Sequence, residues 1–329
     1  MKVMQKAVKK SVNGIISKLD AARFMHLYPK ESITILTYHC ISNDSFPIDD
    51  YCYVSESNFR DQLSYLKDHF HLIKIEDDFD KESDKPKAII TFDDGFLNNY
   101  ERAFPILKNL GIPFTIYLST GFIDGKKTLW FTRLLQALIE TKKAELIWNK
   151  FTLPLGDRES KSVASNVLQR ELKKLPPKEL ENTLEIIISA LGVDPEVDYS
   201  GHIDFGMLSS DAIREMLESG LVTFGAHTHD HTILTRLDID AAKQQIERSI
   251  RGVEAITGLK CEHFAYPNGG RADYTQDHAQ FLQELGIKTA VTMIPGLAND
   301  EVDPYHIPRQ FVSSSMKMQQ FKLLAHGLI

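Results

Sequence analysis

The sequence predicts an α/β protein, specifically an incomplete, distorted (β/α) barrel of about seven parallel strands with a helical insertion. Short runs rich in β-branched and aromatic residues alternate with stretches of helical periodicity, the rhythm of strand-helix-strand units with parallel pairing. That alternation is interrupted at about residues 124–206 and then resumes. Several of the apolar runs end abruptly in aspartate or histidine, and barrels of this kind gather their chemistry at the C-terminal ends of the strands.

Taken in order, Ile35-Leu36-Thr37-Tyr38-His39 ends the first strand. Residues 57–70 have helical spacing with Phe59, Leu63 and Leu66 inward, and a short strand follows at 72–75. Lys87-Ala88-Ile89-Ile90-Thr91-Phe92 is a buried strand stopped by an Asp-Gly turn signal. A helix over 98–110 stops at Gly111, and 113–119 is a further strand. In the interruption, 130–142, 160–174 and 177–191 read as helices, with a polar stretch between the first two. A helix over 209–219 enters through Ser-Ser-Asp, a good N-cap, and leads to the strand Leu221-Val222-Thr223-Phe224-Gly225-Ala226. Then come a helix at 239–257, a strand at 261–266, a helix at 275–285 ended by Gly286, and a strand at 287–293. Phe311-Val312 closes the sheet.

With 329 residues, 43% hydrophobic and 25% charged, the composition is globular, neither disordered nor membrane-spanning. A net charge of -7 and the lack of a basic stripe interleaved with aromatics exclude a general nucleic-acid binder. Cys40, Cys52 and Cys261 are odd in number and widely spaced, so they form neither a disulfide framework nor a structural zinc site, which fits a reducing compartment. Residues 1–30 form a separate N-terminal segment ahead of a catalytic domain at 31–329. Met4, Val8, Val12, Ile15 and Leu19 fall at helical spacing, with Lys2, Lys6, Lys9 and Lys10 turned away from them. Such a helix either packs on the domain surface or rests peripherally on anionic lipid. No unbroken apolar stretch or small-residue cleavage site marks a secretion signal, and the expected location is cytoplasmic, with peripheral membrane contact left open.

Two segments carry the chemistry. Thr91-Phe92-Asp93-Asp94-Gly95 puts two carboxylates where a strand meets its loop, and His227-Thr228-His229-Asp230-His231 puts imidazoles four positions apart at a second strand end. Asp plus two His is a ligand set for a catalytic divalent metal, zinc first, with cobalt, nickel or manganese as alternatives. One aspartate would bind the metal while its neighbour stays free to act as a base. Asp-Asp-Gly on its own is also an ordinary turn, and the histidine cluster on its own could be a solvated loop.

These residues resemble the polysaccharide deacetylases, the NodB-homology family (carbohydrate esterase family 4), whose first motif is similar to Thr91-Phe92-Asp93-Asp94-Gly95 and whose second is similar to His227-Thr228-x-x-His231. The family removes N-acetyl, sometimes O-acetyl, groups from sugars. The resemblance implies that Asp93 is the general base, that Asp94, His227 and His231 hold the metal, and that Thr228 orients a ligand. His229 and Asp230 fall at variable positions. Phe264-Ala265-Tyr266-Pro267-Asn268-Gly269-Gly270 resembles the family's Pro-containing groove motif, which implies substrate and oxyanion contacts from Tyr266, Pro267 and Asn268. It departs from that motif at Ala265, where the family carries an Arg, and at Asn268, where it carries a Tyr. A backbone donor survives a side-chain change, so the Asn268 N–H could still serve.

The missing Arg is sought in His306-Ile307-Pro308-Arg309, with Arg309 expected to pair with Asp93 and Arg271 as its competitor. For the general acid, Leu324-Ala325-His326 has the spelling of the family's late His motif but lies in an amphipathic last helix. His39 is the stronger candidate, because Tyr38-His39 resembles an element at the start of a deacetylase subgroup. The expected function is a metal-dependent hydrolase that removes N-acetyl groups from a sugar in a glycan or glycan precursor, with water on the metal attacking the acetyl carbonyl. The expected partner is an N-acetylated carbohydrate, not nucleic acid. The alternatives are a hydrolase of another C-N bond, such as a cyclic amide or ureide, and an inactive glycan-binding or regulatory protein.

Overall fold

A computed structural model describes residues 32–77, 79 and 83–329. The N-terminal segment at 1–30, on which the expectation of an amphipathic helix and a peripheral membrane contact falls, lies outside the described residues.

The sheet runs through β11 (Thr289–Val291), β10 (His263–Ala265), β9 (Val222–Ala226), β6 (Phe114–Leu118), β5 (Lys87–Phe92), β1 (Ile33–Tyr38) and β12 (Gln310–Phe311), and every pairing along it is parallel. An eighth strand, β4 (His71–Leu72), pairs with the start of β5 at Lys87 and Ala88, while β6 takes the end of β5 at Thr91 and Phe92. Between β11 and β12 a single bridge, Val291 to Ile307, spans the seam, so the barrel is incomplete as expected. All residues of β1, β5 and β6 are buried, as parallel strands covered on both faces require.

The two faces of the sheet separate by residue parity. Leu36, Tyr38, Ile90 and Phe92 pack outward against helices, whereas Ile33, Ile35 and Ile89 fill the interior with Tyr117 and Val291. The outer helix α1 (Glu56–His69) starts at Ser55, whose side chain accepts the Asn58 N–H, and it buries Phe59, Leu63 and Leu66. The expected helix at 98–110 is in two parts, a π-turn over Asn99–Ala103 and then α2 (Phe104–Leu110). Pro105 has no N–H to give to the preceding turn, and the buried Asn98 and Asn99 side chains bond backbone outside the helix.

The insertion holds α3 (Trp130–Glu140), α4 (Arg158–Leu172) and α5 (Pro177–Ala190). Its polar stretch is an antiparallel hairpin, β7 (Glu145–Trp148) with β8 (Phe151–Pro154). Alternation there is weak because only Leu146 and Leu153 are buried on it. The insertion's apolar core takes in Cys40 and Tyr53 from a small parallel pair, β2 (Cys40–Ser42) and β3 (Tyr53–Ser55), with Cys52 just before β3 and Phe96, which fixes the insertion over the C-terminal end of the barrel. The helices α6 (Ser210–Glu218), α7 (Ile239–Thr257), α8 (Gln276–Glu284) and α9 (Met318–Ala325) complete the outer layer. Among the described residues, no helix is long and apolar enough to cross a membrane.

Candidate active site

Strand β5 delivers Asp93 and Asp94 to the C-terminal rim, and β9 delivers His227 two strands away. Four non-glycine residues here have left-handed backbone, Asp94 (φ 77), Thr228 (φ 57), His231 (φ 51) and Asn268 (φ 62). A β-branched residue such as Thr228 rarely adopts this conformation, and such strain persists where surrounding structure enforces it. The Thr228 hydroxyl accepts the Thr232 N–H at 3.1 Å, closing the turn that brings His231 back beside His227.

The two aspartates have different surroundings. Asp93 receives both arms of Arg309, Nη1 to Oδ1 at 2.8 Å and Nη2 to Oδ2 at 2.7 Å, in a fully buried pair. Arg309 is aimed by its Nε–H, which donates to the Thr292 carbonyl at 2.9 Å, and by Nη1, which donates to Thr91 Oγ1 at 3.1 Å. Burial opposes the charge on Asp93, yet Arg309, with His227 behind it, holds the carboxyl below the usual carboxylate range. Arg271, the competitor, is exposed.

Asp94 is completely buried, and neither of its oxygens accepts a well-formed hydrogen bond. Its Oδ1 faces His231 Nε2 at 3.1 Å and His227 Nε2 at 3.5 Å, and the three ligand atoms lie within 4.8 Å of one another. The Ala265 carbonyl accepts the His227 Nδ1 proton at 2.7 Å, which fixes the tautomer and leaves Nε2 as a lone pair toward Asp94. Burial pushes His227 down to about 4 against the pull of Asp93, so the ring is neutral. Two imidazole Nε2 atoms converging on a buried carboxylate without a well-formed hydrogen bond fit a divalent cation.

A cavity of about 770 Å³ opens over these groups. His39, Asn268 and Phe311 line it from the barrel, and Trp130, Phe131 and Lys173 line it from the insertion. His39 packs edge-on against Phe311 at 5.7 Å, and its backbone carbonyl accepts Asn99 Nδ2 at 2.7 Å, so the π-turn holds the end of β1. Of the three groove residues, only Asn268 reaches the cavity. Tyr266 is turned into the core, where it stacks on Tyr274 at 3.9 Å and donates its phenol to the Tyr305 carbonyl, and Pro267 is buried beside it. His326 lies elsewhere, bonded to the Tyr65 hydroxyl at 2.9 Å, and His229 bonds Thr120 Oγ1 through Nδ1 at 2.9 Å.

The sequence is matched to the Polysaccharide deacetylase family over residues 80–290. The chain belongs to this family. A poly-beta-1,6-N-acetyl-D-glucosamine N-deacetylase of Staphylococcus epidermidis is 22% identical over 313 residues, 87% of this chain and 81% of that protein. The Bacillus subtilis protein YxkH is 27% identical over 131 residues, 38% of this chain, so the chain spans about half (45%) of that relative's length. Among solved structures, IcaB from Ammonifex degensii superposes with a TM-score of 0.56 at 18% identity, covering 91% of this chain and 98% of its own, a likeness of fold.

Missing from the sequence-based site were Lys173, Tyr51, Trp130, Phe131 and Phe311, all of which line the cavity. The adjacent aromatics Trp130 and Phe131 at the start of a helix were a signal, since neighbouring helical positions do not share one buried face. Lys173 gave none.

Proposed function

We propose that this polysaccharide deacetylase family member removes the acetyl group from an N-acetylated amino sugar by metal-dependent hydrolysis. The observation that carries this reading is the division of labour between adjacent aspartates, Asp93 clamped by Arg309 and Asp94 open to two imidazole nitrogens. Asp94, His227 and His231 would hold the cation, zinc first because two imidazoles and one carboxylate suit it. When bound, it supplies Lewis acidity that polarises the acetyl carbonyl and lowers the pKa of water.

The remaining work falls to the chain. Arg309 occupies Asp93 in the plane of its fork but leaves lone pairs on both oxygens, so Asp93 can take a proton from the attacking water. The Asn268 backbone N–H, at the cavity wall, is the candidate donor to the developing oxyanion. His39 is the candidate acid that gives a proton to the departing amine nitrogen. The new C–O bond forms first, and as the oxyanion collapses the C–N bond breaks with the acid's proton on nitrogen, yielding acetate and the free amine. The relatives' names favour N-acetylglucosamine units as the sugar.

The test is acetate release from short N-acetylglucosamine oligomers by metal-loaded wild type and by Asp93→Asn. Release by the wild type alone supports the reading. No release by a wild type with stoichiometric metal overturns it, and undiminished release by Asp93→Asn removes Asp93 as the base.

A further inference from the structure

The deacetylase chemistry leaves three cations on the cavity lining without a role, Lys173, Lys178 and Arg236. Of the four carboxylates there, Asp93 is paired with Arg309 and Glu181 with Arg133 at 2.7 Å, Asp230 accepts Gln245 Nε2 at 2.7 Å, and Asp94 faces the two imidazoles. The cations Lys173, Lys178 and Arg236 line the same space, and among the described residues none of them has an ion pair. Lys173 Nζ contacts only neutral acceptors, Asn268 Oδ1 at 3.1 Å and the Tyr51 hydroxyl at 3.3 Å. The buried carboxylate nearest that network, Asp50, is occupied by the Cys52 N–H at 2.9 Å and Gln169 Nε2 at 3.0 Å. Lys178 and Arg236 are exposed at the mouth and Lys173 is half-buried within the field of Asp50, and cations without an ion-pair partner around a concave site raise the local concentration of anions.

The wall beside these cations is apolar. Trp130, Phe131, Leu175, Leu180, Ile233 and Leu237 all face the cavity. A sugar ring offers one small apolar face, which one aromatic side chain covers, so six such side chains leave apolar surface for a second group. Lys173 and Lys178 come from the insertion and Arg236 from the segment after His231, so two separate parts of the chain bring cations to one cavity.

Resting on the deacetylase reading, we propose that the substrate is an N-acetylated sugar joined through a phosphate-class anion to an apolar group, with Lys173, Lys178 and Arg236 holding the anion and the insertion wall holding the apolar part. The insertion is then the specificity element of this chain, and the barrel rim is its chemistry. Sources of this chemistry include a sugar phosphate on a lipid chain and a nucleotide-linked sugar, and only the first fills the apolar wall.

The experiment compares acetate release by the metal-loaded full chain from three N-acetylglucosamine compounds: a decyl phosphate ester, the uncharged decyl glycoside and a nucleotide diphosphate sugar. The decyl phosphate is expected to exceed the decyl glycoside at least tenfold in kcat/KM, with the ratio falling toward one in Lys178→Met/Arg236→Met and at raised salt. Decyl phosphate alone should inhibit release competitively, more weakly in the double variant, a readout that does not depend on the variant's own rate. Equal kcat/KM for the charged and uncharged decyl compounds overturns the proposal while leaving the deacetylase reading intact. A preference that the double variant retains also overturns it. Faster turnover of the nucleotide sugar than of the decyl phosphate overturns the assignment of the apolar wall. Silence on all three compounds, with metal bound, overturns the deacetylase reading and this inference with it.

Discussion

Arg309 gives both terminal nitrogens to a carboxylate that is only 2% exposed, so removing it leaves Asp93 as a buried, unpaired charge. Arg309→Met is expected to cost about 3–5 kcal/mol in urea denaturation, the range for breaking one side of a buried pair. Its kinetic mark is separate. Burial raises the Asp93 pKa and Arg309 brings it down, so losing Arg309 moves the acidic limb of the pH–rate profile to higher pH. Arg309→Lys keeps the charge but not the planar fork, and its acidic limb should fall between those of wild type and Arg309→Met. An unmoved limb in Arg309→Met would remove Arg309 from the catalytic machinery. Asp93→Asn keeps shape and burial but cannot take a proton, and a loss of about 10²–10⁴ in kcat is expected with metal content unchanged. Asp94→Ala should instead lose the metal, measured as zinc per chain after gel filtration.

At the scale of elements, α9 is fastened to α1 and β1 at its end. The Tyr65 hydroxyl meets His326 Nε2 at 2.9 Å, and Thr34 Oγ1 donates to the Ala325 carbonyl at 2.7 Å. Burial, with His69 adding to it, pushes His326 down to about 4 from an ordinary value of 6.5. Because the folded value lies below the unfolded one, the neutral ring's contribution is present above about pH 6.5 and is lost as pH falls toward 4. That loss is on the order of 3 kcal/mol. His326→Gln, which cannot titrate, should therefore lose less stability than wild type between pH 7 and pH 4.5, compared by urea midpoints. What the sequence revealed at this scale follows from locality. Asp93 and Asp94, or His227 and His231, share a strand end and are contiguous in the chain, so pattern alone brought them together. Arg309 could only be named as one of two arginines, because its contact with Asp93 depends on β12 closing against β1. The hairpin of β7 and β8 went unread because it buries one side chain per strand, and Tyr266 was misplaced because a motif position does not say which face of the turn a side chain takes. Lys173 is beyond any local reading, since tertiary packing of the insertion alone carries it to Asn268.

Across the whole molecule, the candidate metal cluster of Asp94, His227 and His231 spans from the end of β5 to the turn after β9, with β6 between them in the sheet. Without a cation, the native state holds a buried carboxylate with no well-formed hydrogen bond, and the unfolded chain carries no such cost. Binding that favours the native state adds stability as RT ln(1 + [M]/Kd), roughly 2.7 kcal/mol at a hundredfold excess over Kd. Chelation should therefore lower the Tm as well as abolish acetate release, and added zinc should restore both in proportion to occupancy. In His227→Ala the Tm should be nearly indifferent to chelator, because one ligand and its β9 anchor are gone. A wild-type Tm that ignores chelator while activity is lost would mean that the rim is held by its own packing, with Thr228, His231 and Asn268 kept in their left-handed turns by the insertion pressed over them and not by the ion.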